Sequence, residues 1–113
     1  MHGYRVFDII CIQTKVNMII SFGNKTTEEL YHNGWSRKTK QFPPDIVNAA
    51  LRKLDMMEAA HELFDLRSPP ANRLEALKGK FAGLHSIRIN KQWRIIFKWH
   101  DGCSHNVLIT DYH

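Results

Sequence analysis

Cysteine is nearly absent from this 113-residue chain, with Cys11 and Cys103 the whole complement. Two cysteines, far apart in the chain, are too few for a disulfide scaffold and fit a reducing compartment, the cytoplasm. Long apolar runs are missing too. The stretch Ile9-Ile10-Cys11-Ile12 is far below spanning length, so no membrane segment is expected. It also lacks the marks of a secretory leader: Asp8 interrupts it, Arg5 is its only nearby cation, and no small-residue cleavage site follows. Acids are scarcest in one region. Between Leu66 and His100 there is a single carboxylate, Glu75, against eight basic residues: Arg67, Arg73, Lys78, Lys80, Arg88, Lys91, Arg94 and Lys98.

That imbalance sets the partner. A formal charge of +5 and a pI near 9.4 favour a polyanion. No segment reads as a basic amphipathic helix, which turns the expectation from a membrane surface to nucleic acid. The length suits one domain with one core. Met18 begins a self-sufficient pattern, so the domain is expected over residues 18–113. Residues 1–17 stand apart, as an extra strand, an upstream start or added sequence.

A short apolar strand over residues 19–22 leads into a helix start, where Thr26-Thr27-Glu28-Glu29 predicts a capping box. Asn33-Gly34 stops that helix after about two turns. A polar loop with Arg37, Lys38 and Lys40 follows. Pro43-Pro44-Asp45 then opens a second helix. Ile46, Ala50, Leu54, Met57, His61 and Phe64 recur at helical spacing and predict a buried stripe running to about Leu66, before Pro69-Pro70. On that stripe His61 reads as a core or boundary histidine, and Met56 and Met57 as filler.

Beyond Asn72 the period changes to two. Ile87 and Ile89 alternate with Ser86, Arg88 and Asn90, and Trp93, Ile95, Phe97 and Trp99 alternate with Arg94, Ile96, Lys98 and His100. A two-residue turn at Lys91-Gln92 would scramble the faces. The three-residue turn Asn90-Lys91-Gln92 keeps one face apolar, pairing Ile87 with Ile95 and Arg88 with Arg94. Two opposed arginines repel unless something negative lies between them, which marks a phosphate site on the uncovered face. A last strand from Asn106, after a turn containing Asp101-Gly102, pairs Phe97 with Val107 and Ile95 with Ile109. Arg94 then lies opposite Thr110, and Tyr112 diagonally from it. Ile96 and Leu108 share this face as an expected apolar patch. His100, Cys103 and His105 match no usual zinc spacing, so no metal site is expected.

The chain resembles the HigB-type toxins of bacterial toxin–antitoxin modules, within the RelE/ParE-like superfamily. The resemblance rests on Met18-Ile-Ile-Ser-Phe, on Leu66-Arg-Ser-Pro-Pro-Ala-Asn-Arg-Leu-Glu-Ala-Leu-Lys-Gly79, on Ser86-Ile-Arg-Ile-Asn-Lys-Gln-Trp-Arg-Ile-Ile-Phe97 and on the terminal Asp111-Tyr112-His113. It implies an α/β (α+β), RelE-like fold: an N-terminal strand and two to three helices packed on a small antiparallel sheet. It implies ribosome-dependent cleavage of messenger RNA without a cofactor. It further implies neutralisation by a HigA-type helix-turn-helix antitoxin, through which alone operator DNA is bound.

Lys78, Arg94, Asp111, Tyr112 and His113 match that family's active-site neighbourhood. Glu75 stands where some members carry His. RNA supplies its own 2′-hydroxyl nucleophile, so the protein need only position, deprotonate, stabilise charge and protonate the leaving oxygen. Arg94 suits the developing phosphorane charge, Lys78 a second contact, and His113 the general acid. Glu75 or Asp111 is the base, and Tyr112 stacks on a base or orients the phosphate. Arg73, Lys80, Arg88 and Lys91 complete the nucleic-acid surface. Two alternatives stand: a toxin of this fold that inhibits DNA gyrase by binding, and a plain basic binding module.

Overall fold

Strand pairing begins earlier in the chain than alternation alone predicts. A computed structural model describes residues 17–111. Glu75–Ala76 forms β1, His85–Arg88 β2, Arg94–His100 β3 and Cys103–Thr110 β4. They make one antiparallel sheet in the order β1-β2-β3-β4. The β2–β3 register is the one the three-residue turn requires, with Ile87 opposite Ile95 and Arg88 opposite Arg94. Asn90 builds that turn: its side-chain oxygen accepts from the amides of Gln92 (2.8 Å) and Trp93 (2.7 Å). This is an Asx turn.

Across the sheet, Arg94 lies opposite Thr110 and Ile95 opposite Ile109, as expected. The regular ladder stops at Ile96 and resumes at Lys98, displaced by one residue. Phe97 and Val107 are therefore not a regular pair. The displacement is a bulge at Asn106, whose φ of 54° suits Asn better than most residues. The residue-106 amide donates to the Ser21 hydroxyl at 2.9 Å. Below the bulge β4 continues back to Cys103, further than predicted, and Asp101-Gly102 closes the hairpin with both φ positive.

The N-terminal segment runs parallel to β4, bridging Ile19 to Ser104 and Phe22 to Val107. Glu58 clamps its start, accepting from the amides of Met18 (2.8 Å) and Ile19 (3.1 Å). Burial first, and then the Glu58 carboxylate, hold the Tyr31 hydroxyl above its ordinary pKa.

Helix α1, Lys25–Asn33, is capped by Asn24 rather than Thr26: the Asn24 side chain accepts from the Thr27 amide at 2.9 Å. Glu29 instead accepts from Asn33 at 3.0 Å. The earlier start has a tertiary reason. It turns Thr27, fully buried, into the sheet, where its hydroxyl accepts from the Ile109 amide at 3.1 Å. Thr27→Val keeps the shape but strands that buried amide, so a loss of about 1–3 kcal/mol is expected in urea unfolding.

Helix α2, Pro44–Ala59, buries Ile46, Ala50, Leu54 and Met57 as the stripe predicts. It ends at Ala59, short of Leu66. Asp65 accepts from the amides of His61 (2.9 Å) and Glu62 (3.0 Å), setting up a separate 3-10 turn, Leu63–Arg67. Those two amides hold the Asp65 carboxyl below its usual pKa. His61 and Phe64 accordingly leave the stripe for solvent, Phe64 at 65% exposure. Leu66 returns to the core, which α1 and α2 form with the inward residues Ile87, Ile95, Phe97, Val107 and Ile109.

Candidate active site

Period-two geometry gives β3 two chemical faces. Ile95 and Phe97 enter the core, while Arg94 and Ile96 point the other way. Glu75 of β1 pairs with Ser86 of β2, and Ser86 with Ile96 of β3. This brings an edge carboxylate and a buried hydroxyl under one guanidinium. Arg94 Nη1 lies 3.4 Å from Glu75 Oε1 and 3.4 Å from Ser86 Oγ. Glu75 thus supplies a negative charge to Arg94, easing its opposition to Arg88. The Arg94 side chain is 25% exposed and that of Glu75 53%, so solvent weakens the pair. Such a pair contributes about 0–1 kcal/mol, little enough for an incoming phosphate to displace it.

The other basic residues expected at the site lie on β2 and on the turns flanking β1 and β2. Arg88 is half-buried on β2 as the cross-strand neighbour of Arg94. Lys78 is exposed just past β1, at the start of the 3-10 turn Gly79–Phe81. Exposed Lys80 has its Nζ 5.4 Å from the Phe81 ring centre. Arg73, with φ 47°, ends the turn Pro70–Asn72 and is exposed. Lys91 is exposed in the 90–92 turn. Asp111 is not part of the arginine cluster. It is one residue past the partner of Arg94, so its parity differs, and its carboxylate accepts from Gln92 at 3.4 Å. Tyr112 and His113 lie outside the described residues. β4 nevertheless ends on Thr110, directly opposite Arg94.

Two expectations about this face change. Ile96 is 4% exposed and Leu108 half-buried, so they form no open apolar patch. Ser86, fully buried beneath Arg94, was not foreseen as part of the site. The signal was its position two pairs along the β2–β3 ladder from Arg94, on the same face of the sheet. Among the described residues no group of three or more His, Cys, Asp or Glu is placed to hold a metal ion. His100 contacts Asp101 at 3.0 Å, and its ring packs edge-on to His105.

The fold and the cluster define a small basic α+β protein whose sheet offers a guanidinium to an anionic group. Residues 13–113 match the family described as RelE-like toxin of type II toxin-antitoxin system HigB. The chain belongs to that family, and as a type II toxin it has an antitoxin partner. It is 41% identical over 92 residues to Toxin HigB-1 of Vibrio cholerae, spanning 81% of this chain and 95% of that protein. It is 30% identical over 96 residues to Endoribonuclease HigB of Proteus vulgaris, spanning 85% of this chain and all of the relative. Among the described residues no helix is long and apolar enough to cross a membrane.

Proposed function

We propose that this toxin is an endoribonuclease that cuts messenger RNA on the translating ribosome in the cytoplasm, and so halts growth. The observation that carries the reading is the Arg94 guanidinium, held at 3.4 Å from both Glu75 and Ser86 on the sheet face away from the helices. Arg94 exchanges Glu75 for the scissile phosphate and stabilises the charge that develops on the phosphorane. The released Glu75 carboxylate is the base beside that phosphate. It takes the 2′-hydroxyl proton, and the 2′-oxygen attacks phosphorus. His113 protonates the departing 5′-oxygen, leaving a 2′,3′-cyclic phosphate and a 5′-hydroxyl. None of these steps needs a metal ion.

Lys78 adds a second positive contact, and Tyr112 orients the nucleotide. Arg73, Lys80, Arg88 and Lys91 hold the strand on either side, while Asp111 braces the chain end. The toxin domain is residues 18–113, with residues 1–17 appended. Its neutralising partner is a HigA-type helix-turn-helix antitoxin, which alone carries the complex to operator DNA.

Primer extension on a message in a translating extract tests the reading. Position-specific breaks are expected while translation runs, and far fewer on the same RNA alone. Intact messages together with inhibited gyrase supercoiling would overturn it in favour of a non-chemical toxin.

A further inference from the structure

The loop between the two helices displays an aromatic ring that packing does not explain. Trp35 is 55% exposed, although tryptophan is among the residues most often covered. Its loop is firmly built. The Ser36 amide donates to Thr39 Oγ1 at 2.9 Å, and the Lys38 amide donates to Ser36 Oγ at 3.2 Å. Thr39 is fully buried beneath the turn Arg37–Thr39, its hydroxyl 3.2 Å from the Ser36 carbonyl. Phe42 closes the loop, its ring edge-on to Trp93 at 5.7 Å between centres. Trp93 directly precedes Arg94, so the loop is anchored beside the strand that carries the proposed cutting site.

Three cations follow the ring within five residues. Arg37, Lys38 and Lys40 are all exposed, and among the described residues no carboxylate lies within 4.0 Å of their charged groups. Lys38 also borders a groove of about 390 Å³ with Lys25, Thr26, Glu28, Glu29 and His32. The two glutamates disfavour phosphate inside that groove, which leaves the backbone of a bound strand to the outer cations.

We propose that residues 35–40 form a second RNA-binding site, in which Trp35 stacks on a base of single-stranded RNA while Arg37, Lys38 and Lys40 hold its phosphates. The assignment of RNA as ligand rests on the endoribonuclease reading. A flat ring on a rigid turn loses little entropy on stacking, and accepts any base because every base has a π-face. The neighbouring cations add an electrostatic, sequence-independent contribution. The platform therefore adds grip on the strand and leaves its sequence unread.

The test uses a fluorescein-labelled, fully 2′-O-methylated single-stranded RNA, which lacks the nucleophile and so reports binding without cutting. In anisotropy titrations of the full chain, Trp35→Ala is expected to weaken binding about 5- to 150-fold, while Trp35→Phe retains most of it. Replacing Arg37, Lys38 and Lys40 together with Ala should flatten the salt dependence, lowering the slope of log K on log salt by about 2. Unchanged affinity in Trp35→Ala and an unchanged slope in the triple variant overturn the proposal. So does a Trp35→Ala protein that keeps its RNA affinity but loses its antitoxin, which makes the ring a protein-docking residue. Circular dichroism of each variant separates lost binding from lost folding, and recovery in Trp35→Phe does so again. Wild-type protein that binds this RNA yet cuts no message defeats the endoribonuclease reading and leaves the platform standing.

Discussion

Arg94→Ala should lower message cleavage in the translating extract by about 10²–10³-fold, the usual cost of removing one preorganised donor from a developing oxyanion. The magnitude follows from what remains. Arg88 stands opposite but is held on the neighbouring strand, and Lys78 lies beyond β1, so neither can take the place of a fork between Glu75 and Ser86. Arg94→Lys should be intermediate, because a point charge keeps the attraction and loses the bidentate geometry. Stability should scarcely move, since a half-exposed ion pair contributes about 1 kcal/mol at most. Unfolding midpoints alike in wild type and variant, with cleavage reduced, would place the loss in chemistry. Cleavage within a factor of about 3 of wild type would remove Arg94 from the phosphate site, because one lost donor there costs far more.

Much of the positioning of Arg94 can be read from the chain before any coordinates. The alternation through Trp93, Ile95 and Phe97 fixes which side of β3 is buried, and only a three-residue turn keeps the same side apolar on β2. Register is legible because a slip would bury Arg94 and expose Ile95. The features that were not legible share a different origin, since each depends on a contact distant in sequence. Asn24 takes the helix cap because Thr27 is wanted by Ile109, 82 residues away. The helical stripe ends at Ala59 because Asp65 captures two amides, although the spacing of His61 and Phe64 still fits a helix. β1 is too short to have a period, so Glu75 read as an isolated acid in a basic stretch. Only the sheet pairing makes it the partner of Arg94. Local pattern specified the long elements, while the polar contacts that complete the site depended on tertiary placement.

Phe97→Ala should destabilise the fold by about 3–5 kcal/mol, the range for deleting a fully buried aromatic ring. Phe97 has no exposed surface and sits on β3 at the bulge, between the regular pairs at Ile96 and Lys98. Bulge geometry fixes the backbone on both sides, so the core has few ways to close around the lost ring. His85, its cross-strand partner, stacks on the ring at 6.1 Å between centres and loses that surface as well. For a total stability near the lower end of the usual range, about 5 kcal/mol, this is enough to leave a substantial unfolded fraction at growth temperature. Urea unfolding followed by tryptophan fluorescence should show a lower midpoint with an unchanged slope, and a loss below about 1 kcal/mol would mean that the helices repack into the space. The variant also bears on function. Arg94 lies three residues from Phe97 on the same strand, and the bulge begins between them. A bacterium expressing Phe97→Ala should therefore tolerate the toxin as well as one expressing Arg94→Ala, for a different reason. Growth alone cannot separate the two, whereas urea unfolding can. Arg94→Ala keeps the wild-type midpoint because only a half-exposed ion pair is lost, while Phe97→Ala lowers it because a buried ring is lost.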